Sequence, residues 1–354
     1  MKITKIPGLG RFGNYVDDVD LNTITDEQWY DIGQLHLKGL VTIIRGNDIN
    51  HHHYNELIEK WGGSRFNRPI YFYQKYGKPL KQLILNRELD EADALVINSG
   101  RRWQVDKRYL GMIRVTPKKN DRGQTLGIFG DGELLWHSNE PGDPAFTPGV
   151  SLMGWENMIG SCTGFCTTVD WYEEQTEAFR SELDELVMVH NYDNYVMGNS
   201  FVPEQDDFMK KASCPEDNSK IPLVIKSPGG IKGLHFSCTS DYFDGMTKEE
   251  SKRLIDIIKK GIFHEKYIYK HWYKHDKDLL IFDNSITLHN REIENDGHMP
   301  NRVAYRIQFD YDNLTRGVYL PFFQDEYNQK KLHRLDLLKK AMEGMEKGYG
   351  KQSV

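Results

Sequence analysis

The segment Leu134-Leu135-Trp136-His137-Ser138-Asn139-Glu140 delivers a histidine at the end of an apolar run, with an asparagine two positions later. In a regular strand, positions i and i+2 lie on one face, so His137 and Asn139 are expected to aim at one point while Ser138 and Glu140 face away. A lone strand histidine is usually structural, but a second segment adds to this one. Leu279-Leu280-Ile281-Phe282 reads as a buried strand; Asp283-Asn284-Ser285 follows as a turn, and the chain then reaches His289. Downstream, Arg302 and Arg306 are four residues apart and share a face if that stretch is extended; either is able to grip a carboxylate with two parallel hydrogen bonds. Two histidines, a nearby oxygen ligand and a carboxylate-binding arginine are the parts of a non-haem iron oxygenase.

These residues need a scaffold, and the chain spells out most of one. Thr25 and Gln28 have capping-box spacing, so a helix is predicted to about Lys38. Leu40 to Ile44 is a compact strand. Asn50 caps a second helix whose Tyr54, Leu57, Ile58 and Trp61 recur at helical spacing, and Gly62 ends it. Further strands are predicted at Leu110–Val115, Val150–Gly154, Leu223–Lys226, Leu279–Phe282 and Arg302–Phe309, and helices at Trp171–Leu186 and from Thr247 and Glu250 to about Lys260. Many short strands with a few helices point to a β-sandwich or barrel flanked by helices, an α+β, mainly β chain. Residues 205–220 are polar and read as an exposed loop or lid. Leu335, Leu338, Met342 and Met345 form a helical stripe in a C-terminal extension over about 325–350, suited to packing on its own domain or on a sister subunit in a homo-oligomer.

Other features carry less. His51, His52 and His53 are consecutive in a helix and point in different directions, so they do not converge on one ion. Gly8, Gly10 and Gly13 match G-x-G-x-x-G, but Asp17, Asp18 and Asp20 follow where a pyrophosphate-binding helix would be needed. The four cysteines Cys162, Cys166, Cys214 and Cys238 contain no C-x-x-C pair, and a zinc site on Cys162 and Cys166 lacks further ligands. A formal charge of −6 argues against a nucleic-acid partner. No apolar stretch is long enough to span a bilayer and no secretory leader is recognisable, so a cytoplasmic protein with reduced thiols and no membrane partner is expected.

In order and type, these motifs resemble the taurine dioxygenase family of iron(II)/2-oxoglutarate oxygenases over roughly residues 20–312 of a single domain spanning 1–354. Trp136-His137-Ser138-Asn139 stands where the family has Trp-His-x-Asp. Phe282-Asp283-Asn284 leading to His289 resembles its second motif, and Arg306, with Arg302 beside it, follows where its 2-oxoglutarate arginine lies. Gly160-Ser161-Cys162-Thr163 resembles the Gly-rich turn that carries a 2-oxoglutarate-binding threonine. The resemblance implies a double-stranded β-helix (jelly-roll) core flanked by helices. It implies Fe(II) held by His137, His289 and Asn139, and 2-oxoglutarate bound by Arg306 with Thr163 and Arg302. It also implies O2 as oxidant, with oxidative decarboxylation to succinate driving hydroxylation of a small-molecule substrate.

The departure is Asn139. An amide is neutral and a poorer ligand for a hard cation than a carboxylate, so iron affinity is expected to fall. Four arrangements follow: Asn139 ligates weakly through its oxygen; the iron site is impaired and the chain binds 2-oxoglutarate without turnover; chloride takes the carboxylate's place as in related halogenases; or Glu140 substitutes through a bulge. Arg101, Arg102, Trp103, Tyr109 and the 205–220 loop are the candidates for contacting the substrate, whose identity the sequence leaves open.

Overall fold

The computed structural model describes residues 1–64, 76–78, 80–90, 109, 111–130, 132–142, 146–191, 219–292 and 299–316. The predicted C-terminal helix, Arg101, Arg102, Trp103 and all but the last two residues of the 205–220 loop lie outside them. Those last two, Ser219 and Lys220, open a strand rather than close a loop.

Two sheets face each other. The larger has seven strands in the order β1 (Lys2–Lys5), β2 (Asn14–Asp17), β3 (Val41–Ile44), β14 (Leu279–Asp283), β6 (Gly149–Glu156), β16 (Val303–Phe309) and β4 (Met112–Val115). All its pairs are antiparallel except β2 with β3. The smaller has four antiparallel strands in the order β13 (Ile268–Trp272), β7 (Cys162–Thr167), β15 (Thr287–Arg291) and β5 (Leu134–His137).

The period-2 alternation of the large sheet sorts its side chains. Val41 and Ile43, Leu280 and Phe282, and Ala304 point into the space between the sheets, where Phe165 and Leu134 meet them from the small sheet. Ile44, Leu279, Ile281, Val303, Tyr305, Ile307 and Phe309 point the other way, onto helices α1 (Asp26–Gly39) and α2 (His51–Trp61). Arg306 shares the parity of Ala304 and so enters the inter-sheet space.

The helices start where their caps dictate. Thr25 Oγ1 accepts from the Gln28 amide at 3.2 Å and Gln28 returns the bond to the Thr25 amide at 3.1 Å. Asn50 Oδ1 accepts from the His53 amide at 2.9 Å. Trp29 and Trp61 stack at 4.5 Å, and their indole N–H groups donate to the Leu57 and Trp29 carbonyls at 2.6 and 3.0 Å. Each ring therefore adds roughly 4–6 kcal/mol of apolar burial by area without leaving a polar atom unpaired.

Outside the small sheet lie strand pair β10 (Val224–Lys226) with β11 (Lys232–Leu234), and the set β12 (Ser240–Phe243), β8 (Val187–His190) and β9 (Ser219–Pro222). Their apolar residues join Cys166, Leu288 and Trp136 of the small sheet with Ile255, Ile258 and Ile262 of the helix Lys248–Ile262, which Thr247 and Glu250 cap as predicted.

Three expectations need correction. The single helix predicted over 171–186 is two, Val169–Glu173 and Glu177–Asp184, because Thr176 takes an extended conformation and caps the second by accepting from the Phe179 amide at 3.3 Å. Leu223 lies between two strands instead of inside one, and its amide bonds the Leu186 carbonyl. Tyr109, offered as a substrate contact, is buried in the core on the helix side of the large sheet. The two discounted motifs do separate as expected. Gly8, Gly10 and Gly13 lie in the connection of the β1–β2 hairpin. His51 stacks on Trp155, His52 pairs with Glu56, and His53 bonds the Leu21 carbonyl.

Candidate active site

The inter-sheet space is apolar at one end and polar at the other. At the polar end a cavity of about 60 Å³ is lined by His137, His289, Thr163, Arg291, Arg302 and Arg306, against an apolar wall that includes Phe129, Leu152 and Phe282.

β5 and β15 bring the histidines together. His137 pairs directly with His289, and the rings lie 4.0 Å apart. The next registered pair is Leu134 with Arg291, so β5 holds one more residue than β15 over that interval. This bulge lets Leu134 and His137 both face inward although they are three positions apart. It also leaves the Leu135 carbonyl to accept from His137 Nδ1–H at 2.7 Å, which fixes the tautomer and leaves the lone pair on Nε2. That Nε2 is buried without a hydrogen-bond partner among the described residues, as is His289 Nδ1. Burial pushes His137 down to about 4; the Leu135 carbonyl opposes the shift, while Arg306 and Arg291 add to it. Burial, then His137 and Arg306, hold His289 well below the usual imidazole range. Both rings are thus neutral at pH 7, the form that ligates a metal.

Asn139 reaches the site by another route than the regular strand expected of it. β5 ends at His137. Asn284, in the turn between β14 and β15, receives the Asn139 amide on its Oδ1 at 2.7 Å and donates Nδ2 to the Asn139 and Thr147 carbonyls, each at 2.9 Å. Asp283 tightens the same turn: its Oδ1 accepts from the amides of Ser285 at 2.8 Å and Ile286 at 3.0 Å. Burial pushes that carboxyl up to about 7 against the pull of those two amides. The Asn139 side chain lies against Arg306, whose Nη1 donates to Oδ1 over a long 3.4 Å, while its amide nitrogen is buried without a partner among the described residues.

The histidine pair fits a divalent metal: two neutral imidazoles, one tautomer fixed, with buried nitrogens that no described residue satisfies. Asn139 completes the set only in part, since its one Lewis-basic atom is shared with Arg306. Glu140 does not take its place. It sits half-buried in the left-handed region at φ 54°, and among the described residues no three His, Cys, Asp or Glu side chains come together. The bulge envisaged after His137 instead lies before it.

Thr163, on β7, lines the cavity with its hydroxyl 3.4 Å from that of Tyr273. The turn before it contains Gly160 at φ +86°, a conformation that favours glycine. At Gly164, next along β7, a Cβ would stand 2.0 Å from Asn290 Oδ1, so a larger residue there would require the Asn290 side chain to move. Arg302 is buried and donates from Nη2 to the carbonyls of Phe129, at 3.2 Å, and Gly130. Arg291 was absent from the sequence-based set. It donates to the carbonyls of Gly132, Phe129 and Gly130 at 2.7, 3.1 and 3.0 Å, anchoring the cavity wall together with Arg302. Its position two residues after His289 on a strand was the available signal.

With this geometry in hand, comparison with known proteins is direct. The profile of the Taurine catabolism dioxygenase TauD, TfdA family matches residues 2–308. The chain belongs to that family. It is accordingly a 2-oxoglutarate-dependent dioxygenase, with Fe(II), 2-oxoglutarate and O2 as the cofactors of its class. No curated protein matches it in sequence. Its fold is similar to that of AAD-2 in complex with Mn(II) and N-oxalylglycine, with a TM-score of 0.58, 17% identity, and 87% of this chain and 96% of that one covered. It is also similar to a taurine dioxygenase from Burkholderia xenovorans, with a TM-score of 0.60, 15% identity, and coverage of 87% and 88%. Among the described residues no helix is long and apolar enough to cross a membrane.

Proposed function

We propose that the protein hydroxylates an unactivated C–H bond of a small organic molecule, with 2-oxoglutarate decarboxylated to succinate, and that its two facing sheets are a double-stranded β-helix. One observation carries the site assignment: His137 and His289 are registered opposite each other, each with a ring nitrogen buried without a partner among the described residues, at the end of a cavity that also holds arginines and a threonine. In this reading His137, His289 and Asn139 hold Fe(II), which supplies the O2-activating chemistry when bound. Arg306 and Arg302 would hold the far carboxylate of 2-oxoglutarate, with Thr163 adding a hydroxyl. Phe129, Leu152 and Phe282 keep water from the reacting end. Asn284 and the Leu135 carbonyl position the ligand side chains without touching the reactants. The related structure crystallised with Mn(II) and N-oxalylglycine supports a metal and a 2-oxo-acid analogue in a fold of this kind.

Anaerobic titration of the metal-free protein with Fe(II) and 2-oxoglutarate tests the reading. A saturable visible iron-to-2-oxoglutarate charge-transfer band is expected, followed by substrate-dependent succinate release. No band in either this chain or Asn139→Asp would sink it. A second reading has a specific observation behind it, the sharing of the Asn139 oxygen with Arg306. In that case the chain binds 2-oxoglutarate without turning it over, and succinate release stays at background while the band forms only in Asn139→Asp.

A further inference from the structure

The ring of His235 faces a carbonyl oxygen at each nitrogen. Its Nδ1 lies 2.7 Å from the Ser285 carbonyl and its Nε2 lies 2.9 Å from the Pro141 carbonyl. A carbonyl only accepts, and a neutral imidazole has one N–H, so a neutral ring serves one of the two; an imidazolium donates from both nitrogens and serves both. The residue is fully buried in the connection between β11 and β12, with its ring stacked on Phe146 at 4.5 Å and its amide on the Leu223 carbonyl at 2.7 Å. The two carbonyls belong to the segments that place Asn139. Ser285 follows Asn284, whose side chain takes the Asn139 backbone, and Pro141 lies two residues beyond Asn139. Proline has no N–H, so its carbonyl is the one backbone group by which that residue is anchored. Next to His235, the Phe236 carbonyl accepts from Ser138 Oγ at 3.2 Å, so residues 235 and 236 grip the Asn139 segment on both sides.

We propose that His235 is a positioning residue that works as a proton-operated strap: as an imidazolium it ties the Asn139 segment to the β14–β15 turn, and as a neutral ring it keeps Ser285 and releases Pro141. The shorter bond retains the remaining proton, and Ser285 is also fixed through its amide by Asp283, so the Pro141 end is the one that moves. The titratable groups on the elements packed around the ring are His190 on β8, 5.9 Å away ring to ring, Asp283 in the β14–β15 turn, and Glu140 in the Asn139 segment. Both ring nitrogens of His235 are taken by carbonyls, and among the described residues none of these three groups forms an ion pair with it. Burial, then the charge of His235, holds His190 well below the usual imidazole range, so His190 stays neutral while His235 takes up its proton. Burial pushes His235 down as well, against the pull of the Ser285 and Pro141 carbonyls. The strap therefore closes on the acid side of the ordinary imidazole range and opens as pH rises through it.

The test needs neither metal nor 2-oxoglutarate, so its outcome is independent of the site reading. Nitrogen NMR of the protein with isotope-labelled histidine counts the protons on the His235 ring. Its signals are assigned by their loss in His235→Gln or, should that variant not fold, by their shift in Phe146→Leu, which removes the stacked ring. Between about pH 8 and about pH 5 the ring is expected to pass from one N–H, on Nδ1, to two. Hydrogen exchange, corrected for its intrinsic pH dependence, reads the segment. Protection of the Asn139 amide should rise roughly 10-fold as the second N–H appears, the worth of one hydrogen bond from a charged donor. The Ile281 amide on β14 is the control: burial disfavours the charged ring, so the fold as a whole gains no stability from protonation and Ile281 should show no such rise. A ring that keeps one N–H throughout, or two throughout, overturns the proposal. So does protonation that leaves Asn139 protection unchanged, or that raises Asn139 and Ile281 alike.

Discussion

The two faces of the seven-stranded sheet are made by alternate residues of the same strands, and they differ in how they treat polar atoms. On the helix face, Trp29 and Trp61 donate their indole N–H groups to carbonyls, and His36 is bracketed by Thr42 at 3.1 Å and Tyr311 at 2.7 Å. On the side that faces the smaller sheet, His137 Nε2 and His289 Nδ1 of that sheet and the Asn139 amide nitrogen are buried with no partner among the described residues. A buried polar atom without a partner costs about 1–3 kcal/mol. The contacts on the helix face thus stabilise the fold, while the space between the sheets holds buried polar atoms that no described residue satisfies.

Breaking the inner face should abolish function and spare the fold. His289→Leu removes a candidate metal ligand and replaces an unsatisfied buried nitrogen with an apolar group of similar bulk. Succinate formation is expected to fall to background, with the thermal midpoint unchanged or raised. Retained turnover would remove His289 from the site; a collapse of the midpoint would mean that His289 is structural.

Breaking the helix face should do the reverse. Trp61 is buried against Trp29 and His36, with the rings 4.5 and 5.5 Å away. Trp61→Ala is expected to cost about 3–5 kcal/mol in denaturant unfolding. The 2-oxoglutarate affinity of the protein that remains folded should stay within about twofold, because additivity holds for distant sites. A large affinity change would show that the faces are coupled through the sheet.

How much of this was legible beforehand follows the same division. Caps at Thr25, Asn50 and Thr247 were readable because a cap is decided by residues three apart in sequence. His137 and Arg306 were readable because each lies in an apolar stretch predicted as a strand, whereas the strand Thr287–Arg291 that carries His289 was not predicted. The route by which Asn139 arrives was not, because β5 stops at His137 and Asn284, 145 residues later, takes over its backbone. Nor was the β5 bulge, which exists only as a difference in count between two paired strands. Arg291 shares strand parity with His289, but its three carbonyl partners lie 159–162 residues earlier in the chain and come together only in the fold.

Asn284 tests whether the long-range clamp matters to function. Asn284→Ala removes one acceptor and two donor contacts around residues 139 and 147. Metal affinity measured with 2-oxoglutarate present is expected to fall about 10–100-fold, the usual cost of losing a group that orients a ligand. A fall in thermal midpoint with unchanged metal affinity would make Asn284 a turn residue only.

The finest comparison is a single hydroxyl. Thr163 lies on β7 with its Oγ1 at a long 3.4 Å from Tyr273 OH, so the protein itself uses that hydroxyl only weakly. Thr163→Val keeps the β-branched shape that the strand favours and removes only the hydroxyl. If 2-oxoglutarate receives a hydrogen bond there, the loss should be about 0.5–1.5 kcal/mol, a roughly 3–10-fold weaker affinity. Calorimetry on the metal-loaded protein would measure it. Tyr273→Phe is the control: it removes the other end of the weak contact and should leave affinity within about twofold, since a 3.4 Å contact does little to hold the threonine. If Tyr273→Phe costs as much as Thr163→Val, and the double variant costs no more than either, the two hydroxyls act as one unit. Thr163 would then owe its effect to Tyr273 rather than to a direct bond with the ligand.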